Sequence, residues 1–283
     1  MAGKTIIHGG GQIDGYIQTN SIEAVLASLA SGERQIELDC VKLADGFALA
    51  HDEAERRFYG VEKKFASITQ DEFQRLRVFE RFNPVTFDMV ERLLEILPDT
   101  KIIIDAKFPD FQFPDFLQFL TNRHGSLLDR LYYQVYRREW VDFCRPFGIR
   151  KAVIALWKHY DSDPYSDEAY DFARNAASEL DALGISVRWK IPGKQVENLH
   201  REGMTRLTGL ADVYFHGQDI SLCREKELLD AGVNFFSSYS LGALPDRFDA
   251  KSYKKRYADL AHLSDIGAGC HYLEFGVREG RAI

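Results

Sequence analysis

Two carboxylates separated by one residue stand out in the run QIELDC: Glu37 and Asp39. Side chains alternate faces along a strand, so both point one way while Ile36, Leu38 and Cys40 point the other. Burying two carboxylates on one face of an apolar strand is costly without compensation. A divalent cation is one compensation, and a Lys or Arg from a neighbouring strand is the other. A second run, KIIIDAKF, places Asp105 and Lys107 on a shared face after three isoleucines. Asp105 could add a third oxygen ligand for a hard cation, and Lys107 could meet a phosphoryl oxygen as a point charge. The two could equally pair with each other.

Two histidines complete the set. His8 ends the run KTIIH and precedes three glycines, which let backbone approach a ligand closely. The GGGQIDG segment lacks both the Lys-Ser/Thr ending of a P-loop and the spacing of a dinucleotide fingerprint. Downstream of Asp39, the Asp45-Gly46 pair between alternating residues predicts a two-residue hairpin turn. Position 40 would then face 51 and position 39 would face 52, returning His51 to the side of Asp39. A histidine there is suited to acid/base work, because its unperturbed pKa is near neutrality. Further along, Arg188 and Lys190 share a face of ISVRWKI, where a cation could serve substrate binding or a salt bridge. Trp157, Trp189 and His216 also sit near strand ends, a placement that suits core packing as well as a substrate platform.

These residues need a scaffold that brings strand ends together. Eight β-rich runs alternate with segments of helical periodicity: KTIIHGG, RQIELDC, KIIIDAKF, RLYYQVY, KAVIALWK, ISVRWKI, ADVYFHG and VNFFSSYS. Capping signals such as Thr69 with Glu72 open several helices, and Gly32, Gly184 and Gly232 are expected to close others. The pattern predicts an α/β fold, a (β/α)8 TIM barrel over residues 1–262, with 263–283 as a C-terminal tail. A doubly wound open sheet shares the same local signals.

The chain has 283 residues, 45% of them hydrophobic, and a formal net charge of −7. That balance disfavours nucleic acid and anionic membranes as partners, so a phosphate substrate must be neutralised locally. Cys40, Cys144, Cys223 and Cys270 have no metal-ligand spacing and read as buried thiols. With no signal-peptide pattern and no apolar stretch of spanning length, a cytoplasmic setting is expected.

Taken together, His8, Asn20-Ser21, Glu37-Leu38-Asp39, Asp45-Gly46, His51-Asp52 and Asp105-Ala106-Lys107 resemble the ordered motifs of the glycerophosphodiester phosphodiesterase family. This family belongs to the wider phosphatidylinositol phospholipase C-like barrel group. The match covers about the first 107 residues, and the remainder matches only in its strand–helix rhythm. The resemblance implies a cation held by Glu37, Asp39 and Asp105, His8 and His51 as the acid/base pair, and Lys107 and Asn20 facing substrate. Mg²⁺ suits a few carboxylates that leave room for substrate and water, with Ca²⁺ the alternative. The implied substrate is a glycerophosphodiester or a glycerol-phosphate-containing glycan or polymer. Two departures bear on this: Gly9 stands where the family carries Arg, and Asp105 where Glu is commoner, as in the related sphingomyelinase D group. Alternatives are therefore a lyase that stops at a cyclic phosphate and a non-catalytic scaffold domain. The terminal LEFGVREG also resembles the first strand and glycine turn of some methyltransferases, a weak single motif.

Overall fold

The computed structural model describes residues 4–188, 203–216, 232–238 and 247–283. Eight strands form the barrel: β1 (Thr5–Ile7), β2 (Gln35–Lys42), β3 (Lys101–Ala106), β4 (Tyr132–Val135), β5 (Lys151–Ala155), β6 (Asp181–Arg188), β7 (Val213–His216) and β8 (Asn234–Ser237). Each pairs in parallel with the next, and β1 pairs with both β8 and β2, which closes the ring. The (β/α)8 barrel expected from the alternation of runs is the fold observed.

Strands in such a barrel are buried on both faces, which explains their nearly continuous apolar runs. The outward face of β2 (Ile36, Leu38, Cys40) joins a large core with the surrounding helices through Leu29, Val90 and Leu94. The lumen holds a separate apolar cluster of Ile6, Ile103, Val153, Tyr214 and Phe236. Two residues further along three of these strands' paths come His8, Asp105 and His216. The same strand face thus changes from apolar to polar toward the C-terminal ends, the end where such barrels carry their sites.

Local signals set many helix starts. Ser21 accepts from the Ala24 amide to begin the helix Ile22–Ala30, and the predicted Thr69–Glu72 capping box opens Gln70–Gln74. Gly184, however, does not end a helix. The helix Asp167–Glu179 stops earlier and Gly184 lies inside β6, where a Cβ would come within 2.5 Å of the Tyr214 ring. Pairing with β5 and the bulk of Tyr214 in the lumen override the local C-cap signal.

The Asp45-Gly46 turn also differs from expectation. Cys40 pairs with Leu49 and Lys42 with Phe47, so the connection spans residues 43–46 rather than two. Tertiary anchors favour this wider loop: the Ala44 amide donates to Ile68 O, and Asp45 accepts from the Gln70 amide at 2.8 Å. The register shift is two residues, so each side chain keeps its face.

At the C-terminus, Asp265–His271 is α-helical and Tyr272–Gly276 continues as a wider helical turn. LEFGVREG is therefore not a strand in this fold. Ser264 caps the helix, and its Ala268 packs with Tyr253 and Leu260. The buried Gln12 side chain donates to the Leu273 carbonyl, tying the segment to the barrel. No described helix is long and apolar enough to cross a membrane.

Candidate functional site

Glu37 and Asp39 point into the upper lumen from β2, and Asp39 is level with Asp105 on β3. Both carboxylates of β2 are fully buried. His8 follows β1, and its Nε2 is 3.7 Å from Glu37 Oε2. The next amide, Gly9 N, donates to the same Glu37 oxygen at 2.7 Å. The backbone at Gly9 has φ +56°, and a Cβ there would sit 2.6 Å from Gln18 Cα. Both constraints leave no room for a side chain at this position.

Asn20 holds Asp39 from two sides. Its Nδ2 donates to Asp39 Oδ2 at 2.8 Å, and its Oδ1 accepts from the Asp39 amide at 2.9 Å. Both polar ends of the amide thus meet Asp39, and Asn20 positions that carboxylate. Lys107 donates to Asp105 at 2.5 Å and lies 3.1 Å from Asp39 Oδ1, out of line for a hydrogen bond. The other Asp105 oxygen accepts from the Tyr136 hydroxyl. The ion-pair alternative is thus real for Asp105 and partly for Asp39, but no Lys or Arg pairs with Glu37 among the described residues.

Two oxygens stay without a hydrogen bond among the described residues: Glu37 Oε1 and Asp39 Oδ1, both buried. One ligand atom each from His8, Glu37 and Asp39 lies within 4.8 Å of the others. Two buried carboxyl oxygens without a hydrogen bond, that of Asp39 beside the Lys107 ammonium, are the donor type that a hard divalent cation takes.

The titratable groups are pushed apart. Burial raises the Glu37 carboxyl well above the usual range, with Asp39 and Asp105 adding to the effect. Burial acts the same way on Asp39, but Lys107, His8, His51 and the Asn20 amide outweigh it and hold Asp39 at about 2. Burial lowers His8. His51, half-exposed, is raised to about 9, chiefly because its Nδ1 meets Asp52 Oδ1 at 3.0 Å. Asp39 raises it further, so the imidazole is within electrostatic reach of that carboxylate despite the altered hairpin register.

An aromatic wall stands beside His8. His216 meets its ring edge-on at 4.9 Å and stacks on Trp157 at 5.2 Å. Burial keeps His216 neutral, and its Nδ1 has no partner among the described residues. Arg188 lies over the other part of this wall, 6.0 Å from the Trp157 centroid, with its guanidinium 3.4 Å from Asp161. Lys190 and Trp189 lie outside the described residues, as does Cys223; Cys40 and Cys144 are buried free thiols, and Cys270 is buried. Two site neighbours were not singled out from sequence, Tyr136 and Lys158. Tyr136 follows Gln134 at strand spacing, so alternation alone could have placed it in the lumen. Nothing local marks Lys158. A cavity of about 310 Å³ between Phe47, Phe87 and His124 contains none of these groups.

No family model and no curated protein matches the chain. Solved structures do resemble it. A glycerophosphoryl diester phosphodiesterase from Parabacteroides distasonis shares 16% identity over 86% of this chain and 85% of its own, with a TM-score of 0.61. A protein from Silicibacter pomeroyi described in the same terms gives 12% identity, 86% and 92% coverage and 0.61. A phosphodiesterase from Oleispira antarctica, solved with the product sn-glycerol-3-phosphate, gives 12%, 86% and 95%, and 0.58. What they share is the barrel. At these identities the likeness speaks for the fold.

Proposed function

We propose that the chain is a divalent-cation-dependent phosphodiesterase of the glycerophosphodiester phosphodiesterase type. Its substrate is a glycerophosphodiester or a glycerol-phosphate-containing glycan or polymer. The observation that carries this reading is the pair of orphaned oxygens on Glu37 and Asp39, set beside Lys107 and two histidines of opposite tendency. The barrel shared with phosphodiesterases supports it.

Glu37, Asp39 and Asp105 would hold the cation. When bound, it polarises a phosphoryl oxygen as a Lewis acid. The rest falls to the chain's own groups. Lys107, kept cationic by Asp105, Asp39 and Glu37 against the effect of burial, offsets charge that builds on the phosphoryl group. His8, kept neutral by burial, takes a proton from the attacking water, whose oxygen becomes part of the phosphomonoester. His51, held protonated by Asp52, delivers a proton to the leaving oxygen. Asn20 and Tyr136 fix the carboxylates on which this arrangement depends.

Incubating the full chain with Mg²⁺ or Ca²⁺ and a panel of glycerophosphodiesters, followed by phosphorus NMR, tests the reading. The expected result is conversion of the diester signal to a phosphomonoester, abolished by chelator. A cyclic phosphate that persists would replace hydrolysis with the lyase reaction. Absence of turnover across the panel would overturn the assignment.

A further inference from the structure

The backbone at Gly9 leaves no room for a side chain after His8, so any cation besides Lys107 that meets the substrate would come from elsewhere in the chain. The cations around the mouth are mostly committed to carboxylates: Lys107 to Asp105 and Asp39, Arg137 to Asp110, and Arg188 to Asp161. Lys158 differs. Among the described residues no carboxylate pairs with it, and its ammonium rests over the Tyr136 ring at 4.1 Å and the Trp140 ring at 5.6 Å.

We propose that Lys158 is the second phosphate-binding cation of the site, recruited from the loop after β5 in place of an arginine after His8. This rests on the phosphodiesterase reading above. Three contacts give Lys158 its address. Its ammonium sits on Tyr136, the Tyr136 hydroxyl donates to Asp105, and Asp105 accepts from Lys107. Lys107 thus meets Asp105 directly and Lys158 reaches it through the Tyr136 ring, and the cation–π contact holds the flexible Lys158 stem on that ring. Burial disfavours the charged ammonium, Asp105 and Asp52 favour it, and Lys107 and Arg137 act against it. A cation with no ion-pair partner among the described residues is available to an arriving anion.

Lys158→Met and Lys158→Arg in the full chain test this, with Lys255→Met, an exposed lysine in another helix, as the control for net charge. The readouts are inorganic phosphate binding by calorimetry with Mg²⁺ present, Mg²⁺ affinity alone, and kcat/KM on a glycerophosphodiester. Lys158→Met is expected to weaken phosphate binding and lower kcat/KM by about tenfold or more, with Mg²⁺ affinity unchanged. Lys158→Arg should retain most of both. Phosphate binding and kcat/KM within twofold of wild type in Lys158→Met would overturn the proposal, as would an equal loss in Lys255→Met. Wild-type protein that neither binds phosphate nor cleaves any diester would overturn the site reading itself and this assignment with it.

Discussion

Asn20 grips Asp39 through both ends of its amide, at 2.8 Å to Oδ2 and 2.9 Å from the main-chain amide. The contact fixes the rotation of a carboxylate whose other oxygen lies 3.1 Å from the Lys107 ammonium without a hydrogen bond. Replacing Asn20 with Ala removes the clamp without touching a proposed ligand. Divalent-cation affinity, read by calorimetry, is expected to fall by about 10- to 100-fold, as for other residues that orient a ligand.

Glu37 offers a contrast between stability and function. Without a cation, its folded-state pKa is raised, so the folded protein favours the protonated form. Stability from that proton is present below the ordinary carboxyl pKa and is lost as pH rises through the folded value. Glu37→Gln should therefore leave the cation-free protein as stable as wild type, or more so, at neutral pH. The same change should abolish the gain in Tm that Mg²⁺ gives wild type, which is worth about 2.7 kcal/mol at a hundred times Kd. A Tm gain of wild-type size in Glu37→Gln would refute the ligand role.

The His51–Asp52 contact makes a pH prediction. A histidine raised to about 9 contributes stability below its ordinary pKa of 6.5 and loses it as pH rises through 9. As the proposed proton donor, it should also set the alkaline limb of the activity profile near that value. Asp52→Asn removes the main cause, so both the imidazole titration followed by NMR in cation-free protein and the alkaline limb of kcat/KM should move down toward neutrality. A limb that stays in place would assign the donor role to another group.

Gly9 combines φ +56° with a neighbour 2.6 Å from where a Cβ would stand. Gly9→Ala should destabilise the fold by about 1–3 kcal/mol in urea denaturation, and Gly9→Arg by at least as much. No gain of activity is expected from Gly9→Arg.

Much of the site was legible because it lies on strands. Alternation put Glu37 with Asp39 and Asp105 with Lys107 on shared faces, and the apolar runs located the strands that carry them. Partnerships set by tertiary packing were not legible. The 43–46 loop widened because Ala44 and Asp45 bind the 68–70 segment, which no local turn rule contains. Gly184 looks the same at a helix end as beneath an aromatic ring, and only the position of Tyr214 decides between them. Arg188 carries the expected charge and lies against Asp161 and Trp157, and the place of Lys158 above Tyr136 is set by a loop whose path the sequence does not encode locally.

The apolar cluster of Ile6, Ile103, Val153, Tyr214 and Phe236 fills the lumen on the N-terminal side of the carboxylates. It gives the cup a sealed floor. Reactant and both products must then use one doorway, and the departing alcohol has to clear it before a new molecule can reach Lys107. A long polymer cannot thread through such a cup; it must present a chain end or lie across the rim. Every turnover of the proposed reaction would then include entry and exit past that rim.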